Sequence, residues 1–178
     1  MLKITPIDGE REPYRSPDLI WNGKAGTVAV NPLTHPDAPG DLRAEQGLAT
    51  QVLICLMTDR RVEVSELRDG DENRGWIGDS FDLETGETPL GSRLWLLRRS
   101  AIFDGIEVTV EDYVREALQP IIDQGAAVSL DVAVTANRPM NRVDYTVTLY
   151  GRDGGRIYDS KFEILWRQID GVANPLAG

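Results

Sequence analysis

The chain has a single cysteine, a single histidine and a shortage of positive charge, and each shortage removes a class of function. With only Cys55, neither an internal disulfide nor a thiolate metal cluster can form. Cys55 stands in an apolar helical stretch, where a small buried thiol is the expected role. His35 lies in Thr34-His35-Pro36, and a solvated loop histidine is favoured there over a general base. A Cys-His nucleophile would need Cys55 at the surface beside His35, which its apolar neighbours oppose. Neither a G-x-S-x-G elbow nor a phosphate-cradling loop with its lysine occurs. The formal net charge of -10 opposes nucleic acid as a partner, and equally an anionic membrane surface. A cationic protein patch is the better electrostatic match. No apolar run approaches the roughly 20 residues that a membrane span requires. The opening MLKITPIDGEREPYR lacks the apolar centre of a signal peptide, so synthesis and folding in a cytosol are expected.

What is present is ordinary globular composition, 41% hydrophobic and 27% charged over 178 residues, enough for one domain with a real core. Residues 1–17 read as an arm of weak periodicity, residues 18–168 as one α+β domain, and residues 169–178 as a tail. Two short strand candidates, 18–21 and 27–30, flank the hairpin pair Asn22-Gly23. Residues 31–40, with three prolines, read as loop. A helix is predicted over 42–57, capped by Asp41, with Leu48, Val52, Cys55 and Leu56 on one face. Residues 62–91 are irregular and long for a loop inside a compact domain, which marks such segments as functional or disordered. Residues 91–99 read as a short helix, with a strand as the alternative because so brief a run does not settle the period. The clearest helix is 110–124, opened by a Thr109/Asp112 capping pair, kinked or broken early at Pro120 and ended by Gly125.

Three alternating segments close the chain. They carry Val128, Leu130, Val132 and Val134, then Val143, Tyr145, Val147 and Leu149, then Phe162, Ile164 and Trp166. Turns at 137–141 and 151–155 join them into an antiparallel meander that buries one face and needs helices to cover it. The predicted fold is α+β: this three-strand meander and an N-terminal hairpin packed against two main helices.

Catalytic and metal chemistry find few parts. Glu45 and Asp59 flank the first helix, but nothing in the sequence marks either as the raised-pKa acid of a glycosidase pair. Asp69-Gly70-Asp71-Glu72-Asn73 has the alternating oxygens of a calcium loop. Its sixth and twelfth places hold Arg74 and Ser80 instead of glycine and glutamate, so a solvated acidic turn is favoured. No cofactor or metal is expected. There remain Thr58-Asp59-Arg60-Arg61 and Arg74-Gly75-Trp76-Ile77-Gly78-Asp79. Their arginines and tryptophan suit equally an internal pin and an interface anchor.

Those strings, followed by Gly91-Ser92-Arg93-Leu94-Trp95-Leu96-Leu97, resemble the Mu-like phage family of small baseplate wedge proteins. That family carries a helix ending in T-D-R-R, a D-G/R-G-W-W-G-D loop and G-S-R-L-W-L-L. The correspondence runs from about Asp18 to Trp166, and Ile77 departs from it, standing where a second tryptophan is usual. The resemblance implies a non-enzymatic, lysozyme-like wedge fold, related to a wedge component of T-even phages. It implies a protein that joins the tail baseplate of the virion after assembly in the host cytoplasm, and helps initiate the contractile sheath. Its implied partners are other wedge proteins, gripped by Asp59, Arg60 and Arg61, and sheath subunits added as strands to a sheet edge. Arg74, Trp76, Asp79, Arg93 and Trp95 would anchor the loop or line the interface. Two rival readings stand beside it: a tail-associated lysozyme acting on peptidoglycan, and an acidic adaptor unrelated to phage.

Overall fold

A computed structural model describes residues 17–21, 26–81, 83, 87–99 and 102–165. The expected arm to residue 16, the Asn22-Gly23 turn, Trp166 and the expected tail lie outside the described residues. The order of elements is β1 (Leu19–Trp21), β2 (Gly26–Val28), α1 (Gly47–Met57), α2 (Ile106–Asp123), β3 (Ser129–Asn137), β4 (Arg142–Tyr150) and β5 (Arg156–Leu165), with short 3-10 turns between α1 and α2. Among the described residues this is an α+β arrangement of two α-helices and two antiparallel sheets.

The meander follows from its alternation. β4 buries Val143, Tyr145, Val147 and Leu149 and turns the residues between them outward. It pairs with β3 on one side, Val132 opposite Val147, and with β5 on the other, Tyr145 opposite Phe162. The Tyr145 and Phe162 rings stack at 5.1 Å between centroids, a cross-strand pair that fixes register. A one-residue slip would turn this whole apolar set to solvent. β1 and β2 pair as the expected hairpin but form a separate two-stranded sheet, with Leu19 opposite Val28.

The inward face of the meander meets α2 through Val110, Val114, Leu118 and Ile121, and the core continues to Val52, Cys55 and Leu56 of α1. Three helix expectations change. Helix α1 begins at Gly47 rather than 42, because Leu42 bridges Val30 and the backbones of Asn31 and Arg43 bond Asp41 and Ala29. Asp41 therefore does not cap it. Helix α2 begins at Ile106, before Thr109, because Gly105 takes a left-handed φ of 90° and Ile106 extends the apolar stripe back by a turn. Nor does Pro120 break α2, which continues to Asp123. The proline forfeits one helical donor so near the end that the Pro120 carbonyl still accepts from Gln124 N at 3.0 Å. Gly125, at φ 73°, ends the helix as its sequence position implies.

The missing cap of α1 comes from a distant residue. Asp18, fully buried, accepts from Gln46 N at 2.7 Å, Glu45 N at 3.1 Å and Arg43 Nε at 3.0 Å. Its carboxylate thus satisfies amides at the positive end of the helix. Burial alone would raise its pKa. The backbone donors of Gln46 and Glu45, with Arg43, outweigh that and hold it below the usual carboxylate range.

A candidate interface at the end of the first helix

The chain leaves α1 extended, with Thr58 at φ -79°, ψ 130°. Successive side chains along an extended backbone point to opposite sides, so Asp59 and Arg61 share a side and Arg60 takes the other. Arg60 turns inward: its Nη1 donates to Glu116 Oε1 of α2 at 2.9 Å, and its side chain is only 16% exposed. Asp59 Oδ2 meets Arg74 Nη1 at 3.2 Å. Arg61 lies against Gly75 and is exposed, and no ion pair involves it among the described residues.

Residues 91–95 clamp this exit. Ser92 exchanges backbone bonds with Thr58 and Arg60, Ser92 N to Thr58 O at 2.9 Å and Arg60 N to Ser92 O at 3.0 Å. Its hydroxyl donates to Leu56 O at 2.8 Å, serving a carbonyl that the helix end leaves open. Gly91 precedes it at φ 106°, where an added Cβ would stand 2.5 Å from Thr58 O; only glycine fits. Trp95, almost fully buried, donates from Nε1 to Arg60 O at 2.9 Å. Arg93 spans Glu116 and Glu66 (Nε to Glu116 Oε2 and Nη1 to Glu66 Oε1, both 2.8 Å) and lies over the Tyr113 ring at 4.6 Å. Partial burial works against its charge, but Glu116 and Glu66 prevail and raise its pKa above the ordinary value.

Residues 73–79 close the arrangement. Asn73 pins both backbone groups of Val62, accepting from its N at 3.1 Å and donating to its O at 2.7 Å. An added Cβ on Gly75 would stand 2.8 Å from Arg61 Cβ, so the strands of this knot touch backbone to backbone. The Trp76 indole lies over buried Gly78 yet stays 48% exposed. Asp79 Oδ1 accepts from Leu90 N at 3.2 Å, while Oδ2 is buried without a hydrogen bond among the described residues.

Three strings separated in sequence are therefore one unit. Between them opens a groove of about 440 Å³, lined by Arg60, Arg61, Glu66, Asp79, Arg93 and Glu116 among others. Of the residues expected to meet a partner, Asp59 and Arg60 are bound within the unit and Arg61 is left outward. Of those expected to anchor or line an interface, Arg74, Asp79, Arg93 and Trp95 anchor, whereas Trp76 anchors on one ring face and shows the other. Sequence reasoning missed Glu116, which holds both Arg60 and Arg93, and Ser92, which bonds Leu56, Thr58 and Arg60. Glu116 had a signal, as an acidic position beside the apolar stripe of α2. His35 stays in its loop, accepting from Ala38 N at 3.2 Å. Asp71 accepts from Arg68 N at 3.1 Å, so the acidic run forms a backbone turn.

Fold and site together define an α+β protein in which Arg60, Arg74 and Arg93 are tied to Glu116, Asp59 and Glu66. The sequence family described as Phage protein GP46 matches residues 48–156, which include all three strings. The Baseplate protein gp46 of Escherichia phage Mu is 34% identical over 116 residues, 64% of this chain and 72% of the relative. The Mu-like prophage FluMu protein gp46 of Haemophilus influenzae is 34% identical over 123 residues, 69% of this chain and 77% of the relative. The chain belongs to this family of Mu-like phage baseplate proteins.

Proposed function

We propose that this chain is a non-catalytic wedge component of a contractile-tail baseplate, built on a lysozyme-like wedge fold, and that it grips neighbouring wedge proteins through the exit of α1. A structural place in the virion tail baseplate accords with its family. The observation that carries the finer reading is the division between the two consecutive arginines. Arg60 is consumed by Glu116, so it positions the backbone; Arg61 is held at its base by Gly75, and its exposed guanidinium enters no ion pair among the described residues. A planar fork fixed at its root suits a carboxylate on a partner, with little entropy lost on binding. Asp59 and Arg74 hold the neighbouring loop in register with it.

Addition of sheath strands is the second part of the proposal, and β5 is the edge we assign to it. The strand order β3-β4-β5 leaves β3 and β5 outermost, and Arg115 Nη1 of α2 already covers the Leu130 carbonyl of β3 at 3.1 Å. β5 instead borders a groove of about 420 Å³ whose far side is β1 and the start of α1. An unpaired strand edge supplies backbone affinity to an incoming chain.

The lysozyme alternative requires a carboxyl kept protonated in an apolar pocket opposite a second one. Glu116 and Glu66 in the groove are instead engaged by arginines. Capture of purified wedge proteins of the same tail on the immobilised chain tests the proposal. The wild type is expected to retain them and Arg61→Glu to lose them, whereas equal retention would refute the role of Arg61. Clearing of a cell-wall suspension by the purified chain would favour the lysozyme instead.

A further inference from the structure

The meander has two outer strands, and β3 is the obstructed one. Tyr150 O of β4 accepts from Val128 N at 2.8 Å, so Tyr150 faces β3, and Ser129, its partner in the register, faces back. Backbone groups alternate sides along a strand, so Leu130, Val132 and Val134 turn theirs to the free edge. The composition of that edge invites pairing. From Ala127 to Asn137 the sole charge is Asp131, and Val128, Val132, Val134 and Thr135 are β-branched. An edge of this kind, left bare, is a template for another chain.

Arg115 of α2 stands in the way. Its Nη1 donates to Leu130 O at 3.1 Å, and the guanidinium is 40% exposed, so it reaches the carbonyl from the solvent side. Glu111, one helical turn back, holds the same guanidinium through Nε and Nη2, both at 2.8 Å. The group is thus fixed in place. An added strand would lie about 4.7–4.9 Å from β3, in the lane that the guanidinium fills. To enter, it would have to take the carbonyl from Arg115 and cover an arginine and a glutamate.

We infer that Arg115 shuts the β3 edge against β3 of a second copy of this chain. Two such edges are self-complementary about a two-fold axis at Val132. Leu130 would face Val134 and Asp131 would face Ala133, so no like charges meet in that register. The inference goes beyond the proposed function and does not require it.

The test uses the full chain in solution. Sedimentation velocity over a concentration series compares the wild type with Arg115→Ala and with Arg115→Met, which keeps an apolar stem and loses the donors. The wild type is expected to stay monomeric. Both variants are expected to dimerise, with an apparent dissociation constant lower by about tenfold or more and thermal midpoints recorded alongside. In the dimer the amides of Val132 and Val134 are expected to exchange more slowly with solvent. Adding Ala133→Asp, at an exposed position, sets a second carboxylate opposite Asp131 and is expected to restore the monomer. Variants that associate no more than the wild type would overturn the inference. So would a dimer that survives Ala133→Asp, or one whose Val132 and Val134 amides exchange as in the monomer.

Discussion

Arg60 and Arg61 are chemically identical neighbours, and what separates them is direction. The extended exit from α1 sends Arg60 toward Glu116 and Arg61 toward solvent, against Gly75. Replacing Arg60 with alanine removes a charged hydrogen bond and leaves Glu116 to Arg93 alone. We expect a loss of about 1–3 kcal/mol, seen as a lower denaturation midpoint in urea. Asp18 makes a second prediction at this scale. Its folded pKa lies below the ordinary value of 3.8, so its stabilisation is fully present above that value and is lost as pH falls through the folded pKa. Asp18→Asn is expected to be less stable than the wild type at neutral pH, with the difference shrinking below about pH 4. Urea unfolding at a series of pH values checks it; a difference constant down to the acid limit would contradict the capping role.

Among the elements, those governed by local pattern were legible. The period-two alternation of 128–134 and 143–149 appears as β3 and β4, and the stripe from Val110 to Ile121 is the buried face of α2. What could not be read was set by partners distant in sequence. The start of α1 depends on Asp18, and on the backbone bridge between Val30 and Leu42. Likewise the glycine of Gly91-Ser92 was visible as part of a string, but not that Thr58 passes over it. Gly91→Ala must push a methyl group into that carbonyl at a φ of 106°. The expected cost is roughly 3 kcal/mol, read by thermal unfolding, and a neutral effect would show the crossing to be looser than it stands. The candidate site was legible as residue types and not as directions: the sequence left pin and anchor evenly matched because both use arginine and tryptophan.

At the scale of the whole molecule, acidic charge and interlocked arginines serve one end. Most cations near the α1 exit are neutralised internally, by Glu116, Glu66 and Asp59, so the outward cation at Arg61 stands out against an acidic surface. Such a contrast gives orientation in a crowded assembly, since a wrong approach meets like charge or no partner at all. The internal pairs hold the geometry, and in the proposed function Arg61 is the group left to make the contact. The most direct measurement is the amount of Arg61→Ala chain in purified tail particles, relative to wild type, with the thermal midpoint of the isolated chain recorded alongside. The expected result is an unchanged midpoint and little or no incorporation; full incorporation of a chain so altered would contradict the division of labour between the two arginines.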